Sequence, residues 1–217
     1  MATYSIIGGT GALGASLAKR LTLAGHEVWI GSRDAARGAA FAADLKAELG
    51  RGDLHGDSYA GAATKAGVCF LTVPYAAHAE TLDQVKDAVQ GKIVVDTTVP
   101  LKPPKVGTVQ LPPAGCAAVE TAQALGEGVR VVSALQNIGA EKLRSDAPID
   151  ADVLVTSDDA EAAEVVRGVL DEIGLRSWFV GPLANSAVAE ALTSVLIQLN
   201  RRYKLGQAGI RITGAGL

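Results

Sequence analysis

Cysteine, histidine, aromatic side chains and charge of either sign in excess are all scarce in this chain of 217 residues. Its two cysteines, Cys69 and Cys116, make no disulfide framework and lack metal-ligand spacing. Three histidines, His26, His55 and His78, stand far apart with no second ligand one helical turn away, so no metal site is expected. Aromatic residues are 4% of the chain, too few to build stacking platforms for nucleic-acid bases. A formal net charge of −3 leaves no dominant basic patch, which excludes nucleic acid and anionic membrane as expected partners. Long apolar runs are missing too. Val68 to Val73 is too short to span a bilayer, and Val188 to Leu199 is interrupted by Glu190, Thr193 and Gln198. The opening Met1-Ala2-Thr3-Tyr4 has no positive targeting region. These absences are read as those of a soluble, reduced, cytoplasmic protein.

What the chain does have is 48% hydrophobic residues and 25 glycines, enough for one domain with a small appendage. Tyr4 to Ile7 is a short apolar strand that runs into glycines. Leu13, Leu17 and Leu21 then recur at helical spacing until Gly25. Glu27 to Gly31 is a second strand, and Asp34 caps an alanine-rich helix that ends at Gly50. Val68 to Val73 and Lys92 to Asp96 are continuous apolar runs of the kind buried on both sheet faces, with a helix from Ala76 to Val89 between them. Such alternation implies βαβ units and a parallel sheet.

Five of the eight prolines fall between Val99 and Pro113, a stiff connection leaving the carboxyl end of a strand, where ligands of open α/β sheets sit. Val129 to Ala134 resumes the sheet. Ala151 to Thr156, a helix over 160–173 and Arg176 to Val180 give one more pass. A helix from Ser186 to Tyr203, stopped by Gly206, closes the chain; its Val188, Leu192, Val195, Leu196, Leu199 and Tyr203 form an apolar stripe. That stripe is read as core or as a dimer face. The expected fold is therefore a Rossmann-type, doubly wound, mostly parallel sheet with a small C-terminal helix-and-strand extension. Residues 1–135 would bind the dinucleotide, and 136–217 would complete the sheet and carry the substrate or dimer face.

Gly9-Thr10-Gly11-Ala12-Leu13-Gly14 matches G-x-G-x-x-G between a strand and a helix, the context in which glycines let the backbone approach a pyrophosphate at a helix N-terminus. The second strand ends Gly31-Ser32-Arg33-Asp34. No carboxylate stands at its terminus to hold a ribose hydroxyl; Ser32, Arg33 and Arg37 suit a 2′-phosphate, so NADP(H) is preferred to NAD(H). The alternative makes both arginines a solvated face and turns Asp34 towards a ribose.

Several chemistries are excluded by missing motifs. No Tyr-x-x-x-Lys pair, Walker loop, H-E-x-x-H or G-x-S-x-G is present. A reaction needing little acid–base help fits best, and hydride exchange between two cofactors is one, with no dedicated catalytic side chain because positioning two ring carbons supplies most of the catalysis.

The segments Gly8 to Gly14, Gly31-Ser32-Arg33, Leu71-Thr72-Val73-Pro74-Tyr75, Val99-Pro100, Ser133-Ala134-Leu135 and Gly181-Pro182-Leu183-Ala184-Asn185-Ser186 stand in the order found in NADPH-dependent reductases of coenzyme F420, a 5-deazaflavin. The chain resembles that family along essentially its whole length, and Gly206-Gln207-Ala208-Gly209-Ile210 looks like the family's last motif. The resemblance implies that Thr10, Gly11, Ala12 and Leu13 hold the pyrophosphate, and Ser32, Arg33 and Arg37 the 2′-phosphate. Val73, Pro74, His78 and Val99 would line the path to the nicotinamide, and Ala140 would meet it through its backbone. The deazaflavin would lie against the proline-rich loop and the Ala208 turn, with Tyr75 as an aromatic lid. It also implies a homodimer.

One stretch departs from the family. After Ser133-Ala134-Leu135 it tends to continue His-Thr-Ile-Pro, whereas this chain has Gln136-Asn137-Ile138-Gly139. Gln136 and Asn137 are candidate contacts to the hydride acceptor, and Gln136 can donate a hydrogen bond but cannot be a cation. A second reading therefore gives the NADP site another acceptor: a flavin, a quinone, or a small carbonyl or imine. A third makes the chain a non-enzymatic NADP-binding sensor. His78 has a plainer alternative as a packing partner of Tyr75, and Cys69 reads as a small core residue.

Overall fold

The computed structural model describes residues 1–214. Eight strands form one sheet: β1 (Thr3–Ile7), β2 (Glu27–Ser32), β3 (Asp53–Ser58), β4 (Val68–Leu71), β5 (Ile93–Asp96), β6 (Arg130–Ser133), β7 (Val153–Ser157) and β8 (Ser177–Phe179). Eight helices connect or flank them: α1 (Ala12–Leu23), α2 (Ala35–Leu49), α3 (Tyr59–Thr64), α4 (His78–Val85), α5 (Ala117–Leu125), α6 (Ala140–Arg144), α7 (Ala160–Glu172) and α8 (Ser186–Tyr203). The strand order is β3-β2-β1-β4-β5-β6-β7-β8. All neighbours pair in parallel except β6 and β7, which run antiparallel through Val132↔Ser157 and Ser133↔Thr156. This is the expected Rossmann-type, mostly parallel α/β fold. The order reverses between β1 and β4, so the crevice for a ligand opens at their carboxyl ends.

Period-two alternation along the strands builds a core on each face. Ile6, Phe70, Val95 and Val132 join one cluster, against which α1, α2 and α7 set Leu17, Leu45 and Leu170. Their chain neighbours Ile7, Leu71, Val94 and Val131 join the other, covered by Tyr59 of α3, Leu82 of α4 and Leu125 of α5. Cys69 is buried in that second core, as its apolar strand implies. Asp34 accepts the Arg37 backbone N–H at the start of α2, and Gly50 ends it in the left-handed region at φ 66°.

Four elements have no counterpart in the sequence reading. β3, Asp-Leu-His-Gly-Asp-Ser, is an edge strand that buries only Leu54 fully, so it carries no apolar signature. The short α3, α5 and α6 fall below the length at which helical periodicity reads clearly. The helix expected over 76–89 is a short 3₁₀ turn at Tyr75–Ala77, then α4 to Val85 and turns to Gly91.

The last helix spans Ser186–Tyr203, as expected, but its cap is Lys204, left-handed at φ 54°, ahead of Gly206. Its buried residues are Ser186, Ala189, Glu190, Ser194 and Leu196, while Val188, Val195 and Tyr203 face outward. So α8 turns a largely polar side inward, together with Leu196, and sets Val188, Val195 and Tyr203 outward.

Candidate functional site

The turn after β1 is built by glycines for separate reasons. Gly8 sits at φ 86°, a conformation L side chains rarely adopt, and its N–H reaches the Gly31 carbonyl at 3.1 Å. A Cβ on Gly14 would stand 2.6 Å from the Gly9 Cα and 2.9 Å from the Gly8 carbonyl oxygen, so α1 presses directly on the turn. Gly11 is different: it is exposed, and a Cβ there would meet only the Gly8 carbonyl, at 3.3 Å. The fold needs Gly8 and Gly14 to close the turn, whereas Gly11 keeps open the surface before the helix. Gly11 is also the α1 N-cap and has no side chain to satisfy the first N–H groups. Free donors and the positive end of the helix dipole there fit an oxyanion.

From this turn a groove of about 260 Å³ runs over the carboxyl ends of β1, β2 and β4. It brings together Gly8, Thr10, Gly11, Ser32, Arg33, Arg37, Val73 and Pro74, so the glycine turn and the basic end of β2 share one cavity. Ser32 is buried, while Arg33 and Arg37 are exposed. Asp34 is occupied as the α2 cap, its Oδ1 2.8 Å from the Arg37 N–H, which leaves the mouth of the groove to the two arginines. Tyr59, Glu80, Thr81 and Gln84 complete the wall. Nothing in the sequence reading singled these four out, because α3 and the groove side of α4 are defined only by packing. Thr72 closes the floor, donating from Oγ1 to the Ile7 carbonyl at 3.0 Å and so fixing β4 against β1.

Other sequence candidates fall elsewhere. Ala12 and Ala140 face a second groove between α1, α2 and α6, with Phe41, Leu45, Lys19 and Arg144. Leu13 packs half-buried against the core, and Gly9 is buried in the turn. Val99 opens the proline-rich loop after β5, half-buried. Ala208 lies beyond α8, its N–H on the Asn200 side chain at 2.7 Å. Tyr75 and His78 stand on the far side of α4, around a pocket shared with Leu82, Asp83 and Glu120. Their rings stack at 6.0 Å, as the plainer alternative for His78 has it, and Tyr75 donates to Glu120 Oε2 at 3.1 Å. Burial first, then the Glu120 bond, pushes the Tyr75 phenol up to about 12.

His78 is buried and bound to a second buried group, Asp96, at the end of β5. Its Nε2 lies 3.1 Å from Asp96 Oδ2 and 2.8 Å from Thr121 Oγ1, while Asp96 Oδ1 accepts the Thr98 N–H at 2.7 Å. Burial works against both charges. The bonds and the mutual attraction outweigh it, raising His78 above its ordinary pKa and holding Asp96 below its own.

Gln136 and Asn137 are both buried just past the carboxyl end of β6. The Gln136 amide nitrogen donates to the Asp96 carbonyl and to Ser133 Oγ, each at 2.8 Å, and Asn137 donates to the Asp152 carbonyl at 2.6 Å. Neither side-chain oxygen has a partner. Among the described residues, Glu27, Asp53 and His55 place ligand atoms close enough to share an ion. They lie at the amino ends of β2 and β3, opposite the groove, and their polar atoms are already bonded to one another, Thr3 and Trp29.

Comparison with known proteins agrees with this geometry. Residues 3–100 match the family described as coenzyme F420-dependent NADP oxidoreductase. An F420-dependent NADP reductase from Methanothermobacter marburgensis is 40% identical, over 96% of this chain and 97% of that protein. One from Methanocaldococcus jannaschii is 38% identical over 96% and 97%. Among solved structures, a provisionally named F420-dependent NADP reductase from Arthrobacter sp. FB24 superposes with a TM-score of 0.86 at 24% identity, over 99% of this chain and 100% of that one. A reductive aminase from Aspergillus terreus shares the fold at TM-score 0.63 and 22% identity, over 94% of this chain and 62% of that one. With the glycine turn, the basic groove and full-length identity in agreement, this chain belongs to the family of F420-dependent NADP reductases.

Proposed function

We infer that this protein is an oxidoreductase that moves hydride between NADP(H) and the 5-deazaflavin coenzyme F420. The observation that carries the reading is identity near 40% across 96% of the chain to reductases named for those two substrates. The groove supports it. Gly11 and the free N–H groups of α1 take the pyrophosphate, while Ser32, Arg33 and Arg37 take the 2′-phosphate. Val73 and Pro74 give the dinucleotide an apolar path along β4. The dinucleotide carries or receives the hydride, and the chain's residues hold it, exclude water and set the face it offers.

The remaining assignments belong to the same proposal. Residues 1–135 form the nucleotide-binding part, and 136–217 complete the sheet. Gln136 and Asn137 face the acceptor, whose ring lies towards the proline-rich loop and the Ala208 turn. The outward apolar side of α8, with Val188 at 66% and Val195 at 48% exposure, is the face of a homodimer in the cytoplasm. No helix among the described residues is long and apolar enough to cross a membrane.

The test is spectrophotometric, with NADPH and oxidised deazaflavin as substrates, and NADH and a simple flavin in parallel. Bleaching of the deazaflavin band at the rate of NADPH consumption is expected. NADPH binding without bleaching would refute the deazaflavin assignment and direct the search to carbonyl and imine acceptors.

A further inference from the structure

Behind the carboxyl ends of β5 and β6, a line of hydrogen bonds runs from Gln136 into α8, and geometry fixes the direction of its Gln136 end. The Gln136 side-chain atom 2.8 Å from the Asp96 carbonyl must be nitrogen, because a carbonyl oxygen only accepts. The other amide hydrogen goes to Ser133 Oγ at 2.8 Å. Ser133 and Ser186 hydroxyl oxygens are 2.5 Å apart, and Ser186 Oγ is 2.8 Å from Glu190 Oε1. Glu190 also accepts the backbone N–H groups of Ala117 at 2.7 Å and Ala118 at 3.1 Å. With Glu190 ionised, each member donates to the next: Gln136 to Ser133, Ser133 to Ser186, Ser186 to Glu190. With Glu190 protonated and donating to Ser186, both hydroxyls reverse. Ser133 Oγ then accepts from Ser186 and Gln136 at once while its own O–H loses its acceptor, a less cooperative arrangement that weakens the hold on the Gln136 N–H.

The consequence lies at the other end. Gln136 is 4% exposed, and its Oε1 is a buried acceptor with no partner. A buried orphan acceptor is costly unless a ligand supplies its donor. We propose that Glu190 is a positioning residue that acts through Ser186 and Ser133 to hold the Gln136 carboxamide with its oxygen unpaired within the protein, as the acceptor for an amide or imide N–H of the bound ligand. The identity of that ligand rests on the deazaflavin reading above. The imide N–H of the deazaflavin ring is the assigned donor, and the nicotinamide carboxamide is the other source of the same chemistry.

Glu190 is held up to about 7, by burial first, against the pull of its three donors and with Asp96 adding to the rise. The other titratable groups around it are His78 from α4, Asp96 from β5, Tyr75 before α4, and Cys116 and Glu120 at the start of α5. Because the His78–Asp96 pair also responds to pH, the test must separate it from the chain of hydroxyls. Ser186→Ala does so: it cuts the chain and leaves His78, Asp96 and every proposed ligand contact in place.

The experiment uses the intact 15N-labelled protein, with Gln136→Leu to assign the Gln136 side-chain amide signals. These signals are expected to titrate near neutral pH in the parent protein and to stay flat in Ser186→Ala and Glu190→Gln. Deazaflavin affinity, read from the coenzyme's own fluorescence at pH 8, is expected to fall about tenfold in both variants, the loss of one hydrogen bond, with NADPH affinity within about twofold of the parent. The parent's deazaflavin affinity also falls below pH 7, and the Glu190→Gln profile is flat. A loss confined to NADPH would support the positioning role and assign the donor to nicotinamide. A pH-insensitive Gln136 amide in the parent, or one that titrates equally in both variants, overturns the proposal. So do folded variants that lose neither ligand or lose both equally. Failure of the parent to bind deazaflavin would refute the deazaflavin reading alone, and the amide titration and NADPH arms would still decide the role of Glu190. If Glu190→Gln does not fold, Ser186→Ala carries both readouts.

Discussion

Replacing Arg33 by alanine is expected to weaken NADPH binding and leave NADH binding nearly unchanged. Arg33 and Arg37 stand exposed at the mouth of the groove, and among the described residues neither takes part in a salt bridge. Removing the Arg33 guanidinium therefore breaks no ion pair within the fold, and the loss should appear in binding alone. A charge-assisted hydrogen bond to phosphate contributes about 1.5–3 kcal/mol, which corresponds to roughly 10- to 150-fold in Kd. Exposure and salt screening favour the lower half of that range at physiological ionic strength. Arg37 lies on the same wall, so the double variant Arg33→Ala/Arg37→Ala should lose more than either single change. Fluorescence titration of NADPH and NADH at two salt concentrations measures both effects. Equal losses for the two dinucleotides would make Arg33 structural and remove the 2′-phosphate assignment.

Gly14→Ala should reduce both stability and NADPH affinity, because its Cβ would lie 2.6 Å from backbone and must move α1 off the turn. Overpacking of this kind costs about 1–3 kcal/mol, read by denaturant midpoint, and an unchanged midpoint would refute the close-approach argument. Glu190 titrates at about 7 in the folded chain against 4.5 unfolded, so its protonated form stabilises the fold fully below pH 4.5. That contribution, roughly 3 kcal/mol, is lost as pH rises through 7, and Glu190→Gln should flatten this part of the stability profile. A profile unchanged by the substitution would contradict the assignment. Val195→Asp puts a charge on the outward apolar side of α8 and should shift the protein to monomer in sedimentation velocity. A dimer that persists would place the interface elsewhere.

Much of this protein is written locally. Ile6 and Ile7, Phe70 and Leu71, Val94 and Val95 mark buried strands because their neighbours enter opposite cores. The glycine turn and Ser32-Arg33 read directly because adjacent residues make each site, and parallel pairing then brings the ends of β1 and β2 together. The alternation of the central strands with helices, the dinucleotide preference and the family follow from such short stretches.

Other features depend on atoms far apart in sequence. β3 was illegible because an edge strand needs no apolar face, and α8 carries Val188, Val195 and Tyr203 of its apolar stripe outward, which periodicity alone cannot assign. Only the fold brings His78 against Asp96 and Thr121, or seats Glu190 under the first N–H groups of α5. In the sequence Glu190 merely interrupts an apolar run. Burial changes its meaning: a carboxyl removed from water must find donors, and the donors it finds lead to Gln136. Local sequence sets backbone conformation and which face is apolar, while the partners of a buried polar group are chosen by tertiary packing.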